Sequence, residues 1–173
     1  MLSPRFLDIK VQLTTVTIKP GQLQMAIARG LNEGGDKVRT QVQHALKERT
    51  NVKSYRSITS RIRTVRAHAG GLQYEIVAKA APIPIEEFPV SVTSKGVDAK
   101  TWGVDHLFKR SFSEGGTGKL RARVGTARFP IRKLYGPNLG KELVGPEVQR
   151  VFASATAEIV PPIIAKHLAK ALG

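Results

Sequence analysis

The sequence predicts a single α+β domain, in which a long helix in the N-terminal half packs on a small antiparallel sheet and a second helix closes the chain. Three observations support this fold class. An apolar stripe with helical spacing runs from residue 23 to residue 46, short stretches of alternating apolar and polar residues follow from residue 62, and a second helical stripe begins after Pro146. The length of 173 residues suits one domain, 1–173, with residues 1–18 as an N-terminal strand or arm.

The first predicted element is a strand over residues 6–18, where apolar and β-branched residues alternate with polar ones. The long helix then begins with Pro20 in its first turn and ends at Thr50–Asn51. Gly34 and Gly35 lie inside its pattern and each weakens a helix by about 1 kcal/mol, so a bend or a split is expected there. The stripe predicted to be buried consists of Leu23, Ile27, Leu31, Val38, Val42 and Leu46.

The middle of the chain predicts mainly strands. A helical turn over 54–59 precedes a hairpin of residues 62–67 and 72–79, with Gly70–Gly71 as its turn. Prolines make residues 81–90 extended and exclude a central strand there. The pattern is less regular in the segment that follows. Residues 90–103 predict a strand and a turn. HLFKRSF is expected to cross under the sheet, and SEGGTGK is expected to form a flexible loop.

Two further elements complete the prediction. Lys119, Arg121 and Arg123 alternate with apolar residues over 119–125, which predicts a strand with one solvent-exposed face and one buried face. The C-terminal helix begins at Pro146, and Pro161–Pro162 is expected to kink or end it, with a second helical piece over 163–172.

The formal net charge of +15 is large for this length. Nine cations face one acid over residues 37–66, and seven cations face none over 115–141. Such clusters suit nucleic acid, an acidic protein surface or an anionic membrane, or they form a solvated basic surface. No apolar run approaches a membrane span and the N-terminus lacks a signal-peptide core, so synthesis in the cytoplasm and no membrane contact are expected.

Motifs for catalysis are weak. The chain has no cysteine, which excludes disulfides, thiol nucleophiles and cysteine zinc sites. The glycine-rich GGTGKL lacks the first glycine and the hydroxyl of a phosphate loop, and the four histidines are scattered singly. Glu86–Glu87 lies among basic neighbours and is expected to form salt bridges rather than to catalyse. We therefore predict no catalytic residue, no metal ligand, no cofactor and no enzyme activity.

The basic strands are the better candidates for function. Arginines flank the first hairpin strand, and three cations line the strand over 119–125; if both strands belong to one sheet, a basic face forms. Few aromatic residues are interleaved, so DNA contacts should go to phosphates without sequence preference. Trp102 reads equally as a core or interface anchor and as a stacking platform. The predicted contact residues are Arg61, Arg63, Arg66, Trp102, Arg121, Arg123, Arg128, Arg132 and Lys133.

An ordered series of short blocks gives these features a context. The series runs GLNEGGDKVRTQVQHAL, SITSRIR, PIPIEEF, GVDAKTWG with HLFKRSF, and FPIRKLYGP. In this order and spacing the chain after about Gln22 resembles the phage minor tail protein Z family, the tail-completion proteins of long-tailed bacteriophages.

The resemblance implies a structural virion protein at the head-proximal end of the tail, with a long helix on an antiparallel sheet and no catalytic residues. It implies a six-fold ring whose partners are the tail terminator, the tail tube and the head-closure protein, with packaged DNA as a further contact. Residues 82–89 and 115–118 would reach neighbouring subunits. The alternative is a free-standing nucleic-acid-binding protein that contacts phosphates.

Overall fold

The structure, a computed structural model, describes residues 7–10, 20–115 and 117–172. These residues form an α+β fold, as predicted, in which the first long helix packs on a small antiparallel sheet and the second long helix packs on the first. The helices are α1 Pro20–Thr50, α2 Tyr55–Thr59, α3 Leu139–Leu143 and α4 Pro146–Leu172. The strands are β1 Leu7–Lys10, β2 Ile62–Val65, β3 Gln73–Ala78, β4 Pro82–Pro84, β5 Val90–Thr93, β6 Gly96–Thr101, β7 Val104–Lys109, β8 Ser111–Glu114, β9 Lys119–Arg123, β10 Ile131–Lys133 and β11 Tyr135–Asn138. None of the helices in the described ranges has the length and apolar character needed to cross a membrane.

Helix α1 is one continuous helix, so the expected split at Gly34–Gly35 is wrong. It ends where predicted, and Asn51 follows in a left-handed conformation with φ 61°. Of the predicted stripe only Leu23 is partly exposed. The other five members, Ile27, Leu31, Val38, Val42 and Leu46, are fully buried.

Two glycines of α1, Gly30 and Gly35, lie where neighbouring elements approach closely. A Cβ on Gly30 would stand 2.9 Å from the Cα atom of Ile164 in α4. On the sheet side, a Cβ on Gly35 would stand 2.5 to 2.7 Å from three ring atoms of Tyr74 in β3. The missing methyl groups therefore let α1 approach both partners, and that packing offsets the weak helix propensity of glycine.

Helix α4 runs through Pro161 and Pro162 without ending, so the expected second, separate piece is wrong. Both prolines are exposed, and each lacks the N–H that would bond four residues back. The helix is held on α1 on both sides of the proline pair, because its buried residues continue across it. These residues are Val148, Phe152, Ala155, Val160, Ile163 and Ile164.

The sheets confirm the predicted hairpin and the N-terminal strand. Strand β3 lies between β2 and β1, and both neighbours are antiparallel to it. The N-terminal strand thus joins the sheet of its own chain over Leu7–Lys10, and the rest of the predicted strand lies outside the described residues. The predicted turn over 54–59 is α2, whose first turn is capped by the Ser54 hydroxyl, which accepts a hydrogen bond from the Arg56 N–H.

The segment HLFKRSF does not cross under a sheet; it belongs to the antiparallel strands β7 and β8. Strand β6 pairs with β5 on one side and with β7 on the other. The β6–β7 connection is a two-residue turn in which Trp102 and Gly103 have φ of 52° and 73°. Positive φ at both positions is the geometry that returns the chain directly into an antiparallel partner.

The proline-punctuated segment 82–89 is part of the core and does not form an arm, which corrects the expectation that it reaches a neighbouring subunit. Ile83, Ile85 and Phe88 are fully buried, and β4 pairs with β11. The prolines stay at the edge of a two-stranded sheet while the apolar residues between them point inward. In the loop 115–118 the described residues are exposed.

Candidate partner- and phosphate-binding surface

The sheet formed by β8, β9 and β10 carries four of the nine predicted contact residues, Arg121, Arg123, Arg132 and Lys133. Strand β9 lies in the middle, with Arg121 opposite Lys133 and Arg123 opposite Ile131 in β10. Residues directly opposite in an antiparallel pair share a face, so these side chains lie on one side of the sheet. The buried Leu120 and Ala122 point to the other side, as the alternation predicted.

The two basic strands are not in one sheet. Strand β2 pairs with β3, whereas β9 pairs with β8 and β10. The single sheet with a basic face considered from the sequence therefore does not form, because β2 belongs to the sheet of β1 and β3. The cations near β2 have different local roles from those on β9.

Arg61 is held inside the protein by a carboxylate. Its guanidinium donates two hydrogen bonds to Glu87, at 3.0 Å and 2.6 Å, and a third to the carbonyl of Ser57 at 2.7 Å. Both side chains are about three-quarters buried. The sequence leaves an intramolecular or an intersubunit salt bridge open for Glu86–Glu87, and at Glu87 an intramolecular one forms. A carboxylate oxygen of Glu86 accepts the N–H of Leu120 at 3.2 Å.

Arg66 is also paired, and it belongs to a network around Tyr74. Its guanidinium lies 2.7 Å from Asp36 Oδ2, and the Tyr74 hydroxyl donates to Asp36 Oδ1, also at 2.7 Å. Burial and then the hydrogen bond to the Asp36 carboxylate raise the pKa of Tyr74 to about 12. Arg66 therefore stabilises this junction of α1 and the sheet.

The remaining predicted cations divide into one that is paired and several that are free. Arg121 lies 3.4 Å from Glu114 and is half-buried. Across the part of the chain that the structure describes, no carboxylate lies within 4.0 Å of the other predicted cations. These are Arg63, Arg123, Arg128, Arg132 and Lys133.

Three of the free cations stand over aromatic rings, which the sequence did not indicate. Arg123 lies 5.5 Å from the centre of the Phe112 ring. Arg128 lies 5.7 Å from that of its neighbour Phe129, and Lys133 lies 5.6 Å from that of Tyr135. We call this region the basic–aromatic surface, which consists of Phe112, Arg123, Arg128, Phe129, Lys133 and Tyr135. Arg132 does not belong to it, because it lies opposite Ala122 and therefore points to the other side of the sheet.

This surface also exposes much apolar area. Phe129 is 65% exposed and Val124 is 59% exposed, and Ile131 is exposed beside Arg123. Val92, Val104 and Leu107 are also exposed on the sheet of β5, β6 and β7, but the register places Leu107 on the opposite face from the other two. Clustered apolar side chains rimmed by charge are typical of surfaces that bind a partner.

Trp102 is neither a core residue nor free. Its indole N–H donates to Glu142 at 2.9 Å, and Glu142 lies 3.5 Å from Arg49 at the end of α1. Its backbone N–H donates to the carbonyl of Thr50 at 3.3 Å. Trp102 thus anchors the β6–β7 turn to the ends of α1 and α3, while its ring stays 39% exposed.

Arg110 is the residue that sequence reasoning missed. It lies between β7 and β8, has φ of 58°, and lines a pocket of about 340 Å³ together with Phe112 and Arg123. Its signal in the sequence is weak, because no glycine or asparagine marks the turn between FK and SF. Elsewhere in the described residues, no group of three or more histidine, aspartate or glutamate side chains is placed to hold a metal ion.

Comparisons of the chain with protein-family models, with curated proteins and with solved structures found no match.

Proposed function

We propose that this protein is a structural component of a bacteriophage virion that completes the head-proximal end of the tail and helps to join tail to head. It acts through protein–protein contacts, as one copy in a ring of six-fold symmetry, without making or breaking a covalent bond. Its partners are the tail terminator, the tail tube and the head-closure protein.

The observation that carries this proposal is the position of FPIRKLYGP, the block that most resembles the tail-completion family. Residues 129–137 comprise β10, part of β11 and part of the basic–aromatic surface, namely Phe129, Lys133 and Tyr135. The other blocks lie mainly in the core: GLNEGGDKVRTQVQHAL forms the middle of α1, and PIPIEEF supplies buried residues. The blocks that carry the resemblance therefore include residues of the core as well as an exposed surface that suits docking.

Charge explains why such a protein would assemble on other virion parts. At a formal net charge of +15, copies repel one another, and a ring needs acidic partners to compensate. The free cations of the basic–aromatic surface supply the attraction, and its exposed apolar side chains supply area that excludes water. A ring repeats each contact, so weak individual contacts become stable together.

The experiment is complementation of a phage that lacks the gene, with a variant that reverses three charges of the basic–aromatic surface: Arg123→Glu, Arg128→Glu and Lys133→Glu. These cations have no carboxylate partner among the described residues, so the variant should fold, and we expect filled heads and free tails that do not join. The matched control reverses Lys79, Lys141 and Arg150, which are exposed on other faces. Infectious particles in normal yield from the triple variant, or absence of the protein from the head–tail junction in a density map of the phage, would refute the proposal.

A second candidate function, sequence-independent binding to nucleic acid, is favoured by the three cation–aromatic pairs. Cations contact phosphates, and aromatic rings stack on bases in single-stranded nucleic acid. The discriminating measurement is the salt dependence of DNA binding. A DNA-binding protein should lose affinity steeply with salt, and the triple variant should reduce the log–log slope by about three, or about one per lost phosphate contact. A slope equal in wild type and variant would exclude this surface as the DNA site.

A further inference from the structure

We infer that the pocket between Arg110 and Arg123 binds a phosphate group. The inference goes beyond the proposed function and holds whether or not the protein joins tail to head. The pocket has a volume of about 340 Å³ and lies where three turns meet. Ser94 comes from the β5–β6 turn, Arg110 from the β7–β8 turn, and Arg123 and Thr126 from the end of β9.

The backbone holds the two arginines together. The N–H of Arg123 donates to the carbonyl of Arg110 at 3.1 Å. The hydroxyl of Ser111 accepts the N–H of Val97 at 2.7 Å and donates to the carbonyl of Phe108. These bonds fix the β7–β8 turn on both sides of Arg110, so the positions of both arginine backbones are determined by the sheet.

Arg110 occupies a conformation that rarely suits an arginine. Its φ of 58° is left-handed, where a side chain crowds the backbone and glycine or asparagine is usual. Keeping a long cationic side chain at such a position is a feature of binding sites more often than of ordinary turns. A cationic residue therefore lines the pocket at a position where a glycine would be expected.

The charges in the pocket are uncompensated. Within the described part of the chain no carboxylate lines the pocket, and none lies within 4.0 Å of either guanidinium. The Arg123 guanidinium also stands over the Phe112 ring, which orients its flat donor edge. Two guanidinium groups that share a pocket repel each other, and an anion between them removes that repulsion.

The donor set favours phosphate over a carboxylate. The residues that line the pocket include two arginines, whose guanidinium groups are fork-shaped donors, and the hydroxyl-bearing Ser94 and Thr126, which come from different elements. A tetrahedral phosphate accepts from several directions at once, whereas a carboxylate is planar and is satisfied by a single fork. The phosphate can be free or part of a nucleic acid, and the experiment below distinguishes the two.

The test uses a double variant, Arg110→Gly with Arg123→Gln. Glycine adopts the left-handed conformation without steric cost, so the variant should fold with an unchanged thermal midpoint. The matched control is Lys141→Gln with Arg150→Gln, which removes the same charge from exposed positions on α3 and α4. Titration with inorganic phosphate at constant ionic strength, followed by backbone and arginine side-chain amide signals, should shift residues of the pocket in wild type and control. The double variant should bind at least tenfold more weakly.

A second measurement determines the affinity of the same proteins for a duplex and for a single-stranded oligonucleotide. If the double variant loses affinity for either by tenfold more than the control does, nucleic-acid phosphate occupies the pocket. If only inorganic phosphate binding is lost, the pocket takes a free phosphate. The inference is overturned if the double variant binds phosphate within twofold of wild type, or if acetate shifts the same signals at the same concentration.

Discussion

Replacing Gly35 by alanine tests the close packing between α1 and the sheet. In an ordinary exposed helix this substitution stabilises by about 1 kcal/mol, because alanine has the higher helix propensity. Here the new Cβ would lie 2.5 to 2.7 Å from three atoms of the Tyr74 ring, which is well inside van der Waals contact. The ring cannot move aside freely, because Tyr74 is fully buried and its hydroxyl is bonded to Asp36.

The expected magnitude follows from three contributions. Overpacking a core costs up to about 3 kcal/mol. Displacing the Tyr74 hydroxyl from the Asp36 carboxylate costs about 1.5 kcal/mol more. The gain in helix propensity offsets about 1 kcal/mol, so the net loss is roughly 3.5 kcal/mol. For a chain of this size that lowers the melting temperature by about 10 °C.

The assay is chemical and thermal unfolding of the variant beside Gly21→Ala, a matched control in the same helix. A Cβ at position 21 meets nothing within 4 Å, so the control should be neutral or slightly stabilising. The double variant Gly35→Ala with Tyr74→Leu should be more stable than the sum of the single losses, because a smaller side chain removes the clash. If Gly35→Ala stabilises the protein as Gly21→Ala does, or if the two losses simply add, the packing argument is refuted.

Three further predictions concern ion pairs and pH. Tyr74 has a folded-state pKa of about 12 against an ordinary value near 10, so the unfolded chain ionises first and stability should fall by roughly 3 kcal/mol from pH 10 to pH 12. Tyr74→Phe should flatten that part of the pH–stability curve, and an unchanged curve would contradict the assignment. Arg61→Ala should destabilise by about 2–3 kcal/mol, because it leaves a partly buried carboxylate unpaired. Arg63 is exposed, so Arg63→Ala should lower the free energy of unfolding by less than about 0.5 kcal/mol. If urea unfolding gives equal losses for Arg61→Ala and Arg63→Ala, the buried ion pair of Arg61 does not contribute as argued. The hydrogen bond from His167, and after it that from Lys166, lowers the pKa of Glu33 below its ordinary value. The stabilising effect of the ionised Glu33 should therefore be lost as the pH falls through that lowered pKa. Glu33→Gln should remove this acid dependence, measured by thermal unfolding across the acid range.

The sequence predicts well those elements that bury one face and expose the other. The stripe of α1, the hairpin of β2 and β3, the capped turn α2 and the alternation in β9 all follow from periodic burial, which leaves a direct record in residue order. The elements that it predicts poorly depend on neighbours distant in the chain. Gly34–Gly35 predicts a bend or a split and Pro161–Pro162 predicts a kink or an end, yet neither helix is interrupted, because each packs along the other.

The candidate site shows the same division. Residue order indicates that Arg123, Arg128 and Lys133 are cationic and near turns, and it therefore predicts contact residues. It does not indicate that Arg61 is paired with Glu87, because that partner lies 26 positions away in the chain. Nor does it indicate that Arg110 lines a pocket with Arg123, because a left-handed arginine carries no turn signature.

Composition and residue order alone therefore establish an α+β chain with excess positive charge, a buried stripe on α1 and an exposed cationic strand. The pairing of strands, the continuity of the two long helices, the choice of which cations are neutralised and the meeting of Arg110 with Arg123 come from the folded arrangement. The physical reason is that burial periodicity is a local property, readable along one element. Close packing and charge pairing are relations between elements, and they arise only when the chain brings those elements together.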